Sequence, residues 1–340
     1  MGAIPMWHSK IGLRSNTITV TGCGLNGTET TMSDTVLVTG GSGFIGTWVL
    51  RELLARNAQP VVVDVQPAPR RWQRVLSGRA AEVVSIEASL LDRDRLQGVI
   101  EQHGVTHVIH LAALLPPECQ KDPWLGCQVN VLGSTALFEA ARRSGRVCSL
   151  AYASSYAVYG SETGDVADES NRPPTFYGAF KQAVDLIGEQ YWRHFGIASI
   201  AVRPHVVYGP ERDQGLTAGP SLAARAAALG ENYTIGYKGR VGYDYVEDVA
   251  RAFVRSAFEC PPGHTVVDLP SEPATTEEFA LAIDAAVPGA ASRLLVNGPA
   301  IPSNIPPNPN YISNVFPDWQ ATSLRDGVRK TVEFYRPRSS

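Results

Sequence analysis

The chain has 340 residues, with 30 Lys and Arg against 33 Asp and Glu, so its formal net charge is −3. This length exceeds the roughly 250 to 300 residues at which one hydrophobic core stops growing, so we expect a large lobe and a dependent second lobe. With 44% hydrophobic and 19% charged residues, the composition excludes collagen, disorder and a small disulfide scaffold. No basic excess points to a nucleic-acid partner.

The five cysteines are widely spaced and include no CxxC pair. They are typical of reduced thiols rather than of disulfides or a zinc site, which predicts a cytoplasmic protein without a bound metal. No run of residues is long and apolar enough for a membrane span, and residues 1–33 lack the apolar core of a secretory signal. We therefore expect no membrane partner.

Residues 1–33 are predicted to be a poorly patterned N-terminal extension. They are rich in Gly, Thr, Ser and Asn and show no sustained period. A GxGxxG pattern at Gly22, Gly24 and Gly27 is not followed by a helical pattern, so it does not predict a phosphate-binding turn.

From Thr35 the sequence predicts a strand, a glycine turn and a helix. Residues 36–38 form a short buried strand, Gly40, Gly43 and Gly46 lie in TGGSGFIG, and TWVLRELLAR has helical apolar spacing. A second buried strand, 60–64, ends in Asp64, 18 residues after Gly46. This is the pattern of a dinucleotide-binding βαβ unit.

The residues of such a unit have separate tasks. Gly40 permits the tight turn, Gly43 lets the backbone approach a pyrophosphate, and Gly46 lets the helix pack on the strand. The phosphates lie at the positive N-terminus of the helix. Asp64 is expected to bind the adenosine ribose and to repel a 2′-phosphate, which favours NAD over NADP, although two arginines follow at 70 and 71.

Strands and helices continue to alternate along the chain, which predicts a parallel sheet. The predicted strands are 83–86, 107–111, 148–152 and 197–202, and the helices are 92–102, 124–143, 176–195, 222–229, 246–258, 279–286 and 324–335. We predict an α/β fold, a Rossmann-type doubly wound parallel sheet with a smaller C-terminal substrate-binding lobe. The NAD-binding domain is predicted over 34–207, with 240–270 returning to it, and the substrate-binding lobe over 208–239 and 271–340.

Three hydroxyl or amine side chains are candidates for catalysis. Ser155 follows the fifth strand, at the carboxyl edge where open α/β sheets bind ligands. Tyr177 and Lys181 stand four residues apart, on one face of the next predicted helix. A neighbouring ammonium and a positive nicotinamide ring both favour the phenolate and lower the pKa of a tyrosine, which makes it usable as a base.

These segments together resemble the extended short-chain dehydrogenase/reductases, the NAD-dependent epimerase/dehydratase family. The resemblance covers roughly residues 35–255 and rests on TGGSGFIG, Asp64, HLAA, NVLGS, SSYAVYG, YGAFK and RPHVVYGP in this order. It implies that Tyr177 is the acid and base, that Lys181 holds the nicotinamide ribose and tunes Tyr177, and that Ser155 binds the reacting oxygen. The family also implies a homodimer through helices 124–143 and 176–194.

The resemblance gives a set of expected binding positions. The predicted cofactor-binding residues are Gly40, Gly43, Phe44, Ile45, Gly46, Asp64, Leu90, Leu111, Ala112, Ala113, Asn130, Ser154, Tyr177, Lys181, Pro204 and Val206. The predicted substrate-binding residues are Leu115, Ser155, Tyr156 and His205. NAD is the expected cofactor and a small molecule the expected substrate.

Departures from the family's sequence patterns limit which of the family's reactions this chain is expected to catalyse. The family's dehydratases carry Asp-Glu where this chain has Tyr156 and Ala157, which disfavours water elimination. Its 4-epimerases usually have Asn where this chain has His205, and Arg where it has Val241, and their C-terminal RxGD segment has no counterpart here. Each lost charge-assisted phosphate contact is worth about 1.5 to 3 kcal/mol.

We therefore predict an NAD-dependent oxidoreductase that transfers a hydride at a secondary alcohol of a sugar or nucleotide-sugar, in the manner of a 4-epimerase. Two alternatives stay open. One is an NAD-dependent dehydrogenase or reductase of a small non-nucleotide hydroxy or keto substrate. The other is a non-catalytic NAD-binding regulatory protein, because a fold alone does not establish activity.

Overall fold

The computed structural model describes residues 34–160, 172–301 and 309–337. The predicted extension 1–33, with its GxGxxG pattern at Gly22, Gly24 and Gly27, lies outside the described residues. The strands are β1 (Thr35–Thr39), β2 (Gln59–Asp64), β3 (Val84–Glu87), β4 (His107–His110), β5 (Ser149–Ala153), β6 (Ala198–Arg203), β7 (Val206–Tyr208), β8 (Tyr233–Ile235), β9 (Arg240–Tyr245), β10 (His264–Asp268), β11 (Glu272–Thr275) and β12 (Leu294–Val296).

The helices alternate with these strands through most of the chain. They are α1 (Phe44–Ala55), α2 (Pro69–Val75), α3 (Arg93–Gln102), α4 (Pro116–Lys121), α5 (Pro123–Cys127), α6 (Gly133–Ser144), α7 (Phe176–Phe195), α8 (Gly219–Leu229), α9 (Val246–Phe258), α10 (Thr276–Ala286) and α11 (Leu324–Tyr335). In the described residues, no helix has the length and apolarity to cross a membrane.

Seven parallel strands form the main sheet, in the order β3-β2-β1-β4-β5-β6-β10. This order confirms the predicted Rossmann-type sheet, because the strands run outward in both directions from β1. β1 pairs in register with Val61 of β2 and Val108 of β4 through Leu37. The glycine turn after β1 therefore lies at the point where the strand order reverses.

Both faces of the sheet are covered, as the apolar runs of its strands require. Val36 and Val38 pack on one face with Leu53 of α1 and Phe253 of α9. Leu37 points to the other face, into a core with side chains of α3, α6 and α7. The two-residue period of a strand thus divides neighbouring residues between two cores.

Two smaller sheets follow the sixth strand. β9 pairs parallel with β7 and antiparallel with β11, and β8 pairs parallel with β12. Helices α8, α10 and α11 pack on one another beside them. The sequence prediction named none of these short strands, since segments of three to six residues carry little periodicity.

The helix predicted over 124–143 differs in one respect. It is interrupted by a π-helical segment, Gln128–Leu132, between α5 and α6. Such wide turns are rare and occur mostly as single turns within α-helices, often at functional sites. Here the segment carries the buried Asn130.

Candidate active site

The glycine turn joins β1 to α1 and leaves no room for side chains. Gly40 has φ 72°, in the left-handed region that favours glycine, and a Cβ there would lie 2.7 Å from the backbone nitrogen of Ala112. A Cβ on Gly46 would collide with the carbonyl oxygen of Gly40. Backbone thus packs on backbone at the start of α1.

The N-terminus of α1 has the features of an anion site. Its N-cap residue is Gly43, and no side chain caps the helix, so the first-turn N–H groups, including those of Phe44 and Ile45, face the turn without a capping group. Asp64 lies beside them, since its Oδ2 accepts a 3.1 Å hydrogen bond from Ser42 N. A bare helix terminus next to a carboxylate fits a dinucleotide, and these residues would hold NAD.

The predicted cofactor-binding residues that follow β4 lie beside the end of β1. Leu111 N donates to Thr39 O at 3.0 Å, which continues the sheet toward Ala112 and Ala113. Leu115, at the start of α4, is 44% exposed. Leu90 is buried and packs against the start of α6. A Cβ on Gly133 would lie 2.8 Å from the Cβ of Leu90.

Asn130 supports the loop between β4 and α4. Its Oδ1 accepts a 2.8 Å bond from Leu114 N, and its Nδ2 donates to Leu114 O at 2.9 Å. The oxygen and the nitrogen of the buried amide therefore both bond to the backbone of Leu114. A direct contact of Asn130 with the cofactor stays a prediction.

The three candidate catalytic side chains come together at the end of β5. Ser155 begins a short 3-10 turn, and its Oγ accepts a bond from Ala157 N at 3.1 Å. Tyr177 stands in the first turn of α7, which Thr175 caps through a 3.1 Å bond from Gly178 N. The Lys181 ammonium is 5.6 Å from the centroid of the Tyr177 ring.

Burial sets the protonation of this group. Burial raises the pKa of Tyr177, and a hydrogen bond with Ser155 lowers it, leaving it at about 12. Burial also lowers the pKa of Lys181 to about 8, against the attraction of Asp185. In the free protein both groups therefore hold their protons at neutral pH, and a cation brought close to the phenol would favour its ionisation.

A buried polar network lies beneath these residues. Ser154 Oγ donates to Asp185 Oδ2 at 2.8 Å, and Arg203 Nη2 donates to the same oxygen at 2.7 Å. Arg203 Nη1 also donates to Tyr159 OH at 2.6 Å, and that hydroxyl bonds Asp268 at 3.0 Å. Ser154, predicted to bind the cofactor, thus gives its hydroxyl hydrogen to Asp185.

The prediction gave no role to Arg203, Asp185 or Asp268. One signal was present, because Asp185 follows Lys181 by four residues and shares its helix face. The pairing of Arg203 with Asp185 joins the end of β6 to α7 and could not be deduced from local sequence.

The segment after β6 brings His205 against Tyr156. Their ring centroids are 4.8 Å apart in an edge-to-face arrangement, and Tyr156 OH donates to Leu269 O at 3.0 Å. Burial lowers the pKa of His205 to about 4, so its ring is neutral, and its Nδ1 has no hydrogen-bond partner among the described residues. Pro204 and Val206, on either side, are buried.

Comparison with known proteins gives relatives for this arrangement. The sequence profile of the NAD dependent epimerase/dehydratase family matches residues 36–267. This match confirms the resemblance predicted from the motifs, the extended short-chain dehydrogenase/reductase type included.

Two curated relatives illustrate the range of similarity. A UDP-glucose 4-epimerase of Mycolicibacterium smegmatis is 29% identical over 319 residues, which cover 89% of this chain and 99% of that protein. UDP-glucuronate 4-epimerase 4 of Arabidopsis thaliana is 28% identical over 215 residues, which cover 61% of this chain but 47% of that protein. The chain therefore spans about half of the plant protein.

Solved structures have the same fold. The UDP-glucose 4-epimerase of Thermus thermophilus, solved in complex with NAD, has a TM-score of 0.72 and 26% identity, covering 90% of this chain and all of that one. MoeE5, solved with UDP-glucose and NAD, has a TM-score of 0.71 and 25% identity, covering 89% and 98% of the two chains.

Proposed function

The chain belongs to the NAD-dependent epimerase/dehydratase family, and from that premise we propose that it is a 4-epimerase of UDP-sugars. The observation that carries the proposal is the grouping of Ser155, Tyr177 and Lys181 at one strand end, beside the glycine turn. Its relatives include 4-epimerases of UDP-glucose and of UDP-glucuronate, which supports the substrate class.

The proposed reaction assigns the proton steps to Tyr177. Bound NAD would supply the acceptor for a hydride from the sugar carbon, and its reduced form would be the hydride donor for the other face of the carbonyl carbon. The Tyr177 phenolate takes the proton of the sugar hydroxyl. It gives the proton back after the ketone has rotated to present its other face. Ser155 donates a hydrogen bond to the reacting oxygen, and Lys181 keeps a positive charge near the phenol.

The environment of Tyr156 supports epimerisation over water elimination. This residue stands where the family's dehydratases carry an acid, and its hydroxyl is bonded to Leu269 O. Burial raises the pKa of Tyr156, so the phenol stays protonated. A side chain held in this way cannot serve as the base of an elimination.

A second candidate is a dehydrogenase of a small, non-nucleotide alcohol. It is favoured by Val241, which occupies the position of the family's phosphate-binding arginine and is 1% exposed in the core. A buried valine offers no charge to a diphosphate. In this reaction the same residues act, but the ketone leaves and NADH accumulates.

The substrate-binding lobe is proposed to consist of residues 208–239 and 271–340. Residues 34–207, with 240–270 returning to them, form the proposed NAD-binding domain. The position of β10 in the main sheet, beside β6, supports this division.

We also propose a cytoplasmic homodimer that pairs through α5, α6 and α7. Large apolar side chains on these helices are exposed, among them Trp124 at 73%, Leu186 at 59% and Phe195 at 50%. Several exposed apolar side chains on neighbouring helices support an interface there, because large exposed apolar patches mark protein contact sites. Among the described residues, Cys119, Cys127 and Cys260 form no disulfide, which agrees with a reducing compartment.

The proposal is tested by turnover of the purified protein with NAD and UDP-glucose, UDP-galactose, UDP-glucuronate or the free sugars. We expect the C4 epimer of a UDP-sugar to form without net NADH, and in D₂O the C4 hydrogen is retained. Tyr177→Phe should reduce the rate by about 10²- to 10⁴-fold. Tyr191→Phe, on the same helix, is the matched control.

The outcomes separate the candidates. Accumulating NADH with a free sugar or hydroxy acid would support the dehydrogenase. Deuterium at C4 would contradict direct hydride return. Equal activity of wild type and Tyr177→Phe would remove Tyr177 from the reaction.

A further inference from the structure

The segment that follows β7 turns one arginine away from its acidic neighbours. Glu211 has φ 72°, a left-handed conformation that is uncommon for a residue with a side chain. Glu211 pairs with Arg74 at 3.0 Å, and Asp213 pairs with Arg71 at 2.9 Å. Arg212, between the two acids, is thereby left without either of them.

The Arg212 guanidinium is held in place by neutral acceptors. Nη1 donates to Val207 O at 2.7 Å, and Nη2 donates to Thr217 Oγ1 at 2.8 Å. Its Nε is inaccessible to solvent and has no hydrogen-bond partner among residues 34–160, 172–301 and 309–337. No carboxylate of those residues forms an ion pair with it.

The buried Arg203 shows what Arg212 lacks. Arg203 lies at the end of β6, and its guanidinium pairs with Asp185 at 2.7 Å. Burying a cation is costly unless it is paired, because its hydration is lost. Burial accordingly lowers the pKa of Arg212 to about 10, yet the group remains charged at neutral pH.

Arg212 lies near both the start of α1 and Tyr177. Its guanidinium carbon is 5.6 Å from the ring centroid of Phe44, the first residue of α1. Its charge also acts on the phenol of Tyr177, whose pKa it lowers against the larger effect of burial. An anion near Phe44 would be attracted both by Arg212 and by the positive N-terminus of α1.

We propose that Arg212 binds the phosphate oxygens of a nucleotide pyrophosphate held in this cleft. A guanidinium presents its N–H groups in a planar fork that matches phosphate geometry, and a phosphate would supply the missing counter-charge. NAD and a UDP-sugar both carry this group. The inference rests on the proposed function where the source is the UDP-sugar, but not where it is NAD.

The test is the dissociation constant of NAD and of UDP, each measured by calorimetry for wild type, Arg212→Gln and Arg212→Lys. We expect Arg212→Gln to weaken one of the two ligands by about 10- to 100-fold. Arg212→Lys keeps the charge without the fork and should weaken it less. Arg329→Gln removes an exposed arginine of α11 and should leave both constants unchanged.

Measurements with the two ligands show whether Arg212 binds the pyrophosphate of NAD or that of the UDP-sugar. Weaker NAD binding assigns Arg212 to the cofactor, and weaker UDP binding with unchanged NAD binding assigns it to the substrate. Adenosine and uridine, used as competitors, lack phosphate and should bind wild type and Arg212→Gln equally. Unchanged constants for both ligands in a variant that melts like wild type would overturn the proposal.

The proposed function can fail separately. Wild type that binds NAD but neither binds UDP nor epimerises a UDP-sugar contradicts the 4-epimerase, while the NAD measurement still decides the role of Arg212. Wild type that binds neither ligand overturns the role of Arg212 as well.

Discussion

The Lys181 ammonium donates a 2.6 Å hydrogen bond to the carbonyl oxygen of Ala153. Ala153 is the last residue of β5, two residues before Ser155, so this bond fixes α7 against the strand that supplies the serine. The relative positions of Ser155 and Tyr177 therefore depend on a buried lysine whose charge is only partly compensated.

The burial of Lys181 predicts a pH dependence of stability. Its pKa is lowered from 10.5 to about 8, so between these pH values the unfolded chain binds more protons than the folded one. The free energy of unfolding then rises with pH across that window. Relative to Lys181→Met, we expect wild type without NAD to gain on the order of 3 kcal/mol from pH 8 to 10.5.

Urea denaturation at a series of pH values measures this difference. Lys121→Met, at an exposed lysine, controls for the loss of one ammonium and should follow wild type. Parallel pH profiles of wild type and Lys181→Met would show that Lys181 titrates alike in both states.

Two glycine-to-alanine changes are expected to have opposite effects. At Gly46 a Cβ would collide with Gly40 O, so we expect Gly46→Ala to cost about 1 to 3 kcal/mol of stability and to weaken NAD binding at least about tenfold. At Gly98, in α3, a Cβ would meet nothing within 4 Å. Gly98→Ala should therefore stabilise the protein by up to about 1 kcal/mol, through helix propensity.

Thermal melting and NAD titration of both variants test the expectation. Normal NAD affinity in Gly46→Ala would mean that the glycine turn does not form the cofactor site.

Asp64 is expected to select NAD over NADP. Its carboxylate is held by Ser42 N at 3.1 Å and Gln66 N at 3.2 Å, which leaves its negative charge at the end of β2. We expect wild type to prefer NAD by at least about tenfold, and Asp64→Ser to reduce that preference, because a 2′-phosphate is then no longer repelled. Glu101→Gln, on α3, is the charge control.

Titration with both dinucleotides gives the ratio directly. An unchanged ratio in Asp64→Ser would assign selectivity to another residue, such as Arg71, which donates to Ser42 O at 2.7 Å.

The buried pair Arg203–Asp185 should matter far more than an exposed pair on the same helix. Removing one partner of a buried pair leaves an uncompensated charge, so Asp185→Asn should cost about 3 to 5 kcal/mol. Glu189→Gln breaks the exposed pair with Arg193 and should cost less than about 1 kcal/mol. Similar midpoints of chemical denaturation for the two variants would refute the contrast.

The prediction from sequence was most successful where the local pattern and the long-range structure agree. The family, the NAD dependence, the parallel sheet and the helix over 176–195 are confirmed. This helix has its stop signal in the sequence, since Gly196 adopts φ 69° after Phe195. The glycine turn could also be predicted from the sequence, because its tight turn and close backbone contacts need glycine at fixed spacing.

Other features depend on partners distant in sequence. The short strands β7, β9 and β11 form through pairing with one another, which three to six residues do not reveal. The site role proposed for Arg212 was also missed. In the sequence it stands between Glu211 and Asp213 and suggests an exposed ion pair, whereas the left-handed turn at Glu211 sends both acids to other arginines.

The order of the main sheet bears on synthesis of the chain. β6 is covered on its outer edge by β10, which begins at His264, 61 residues after β6 ends at Arg203. A nascent chain that has not reached β10 exposes the unpaired backbone groups of β6, and open strand edges invite association between chains. Fragments truncated before residue 264 are therefore expected to aggregate, although they contain the glycine turn, Tyr177 and Lys181.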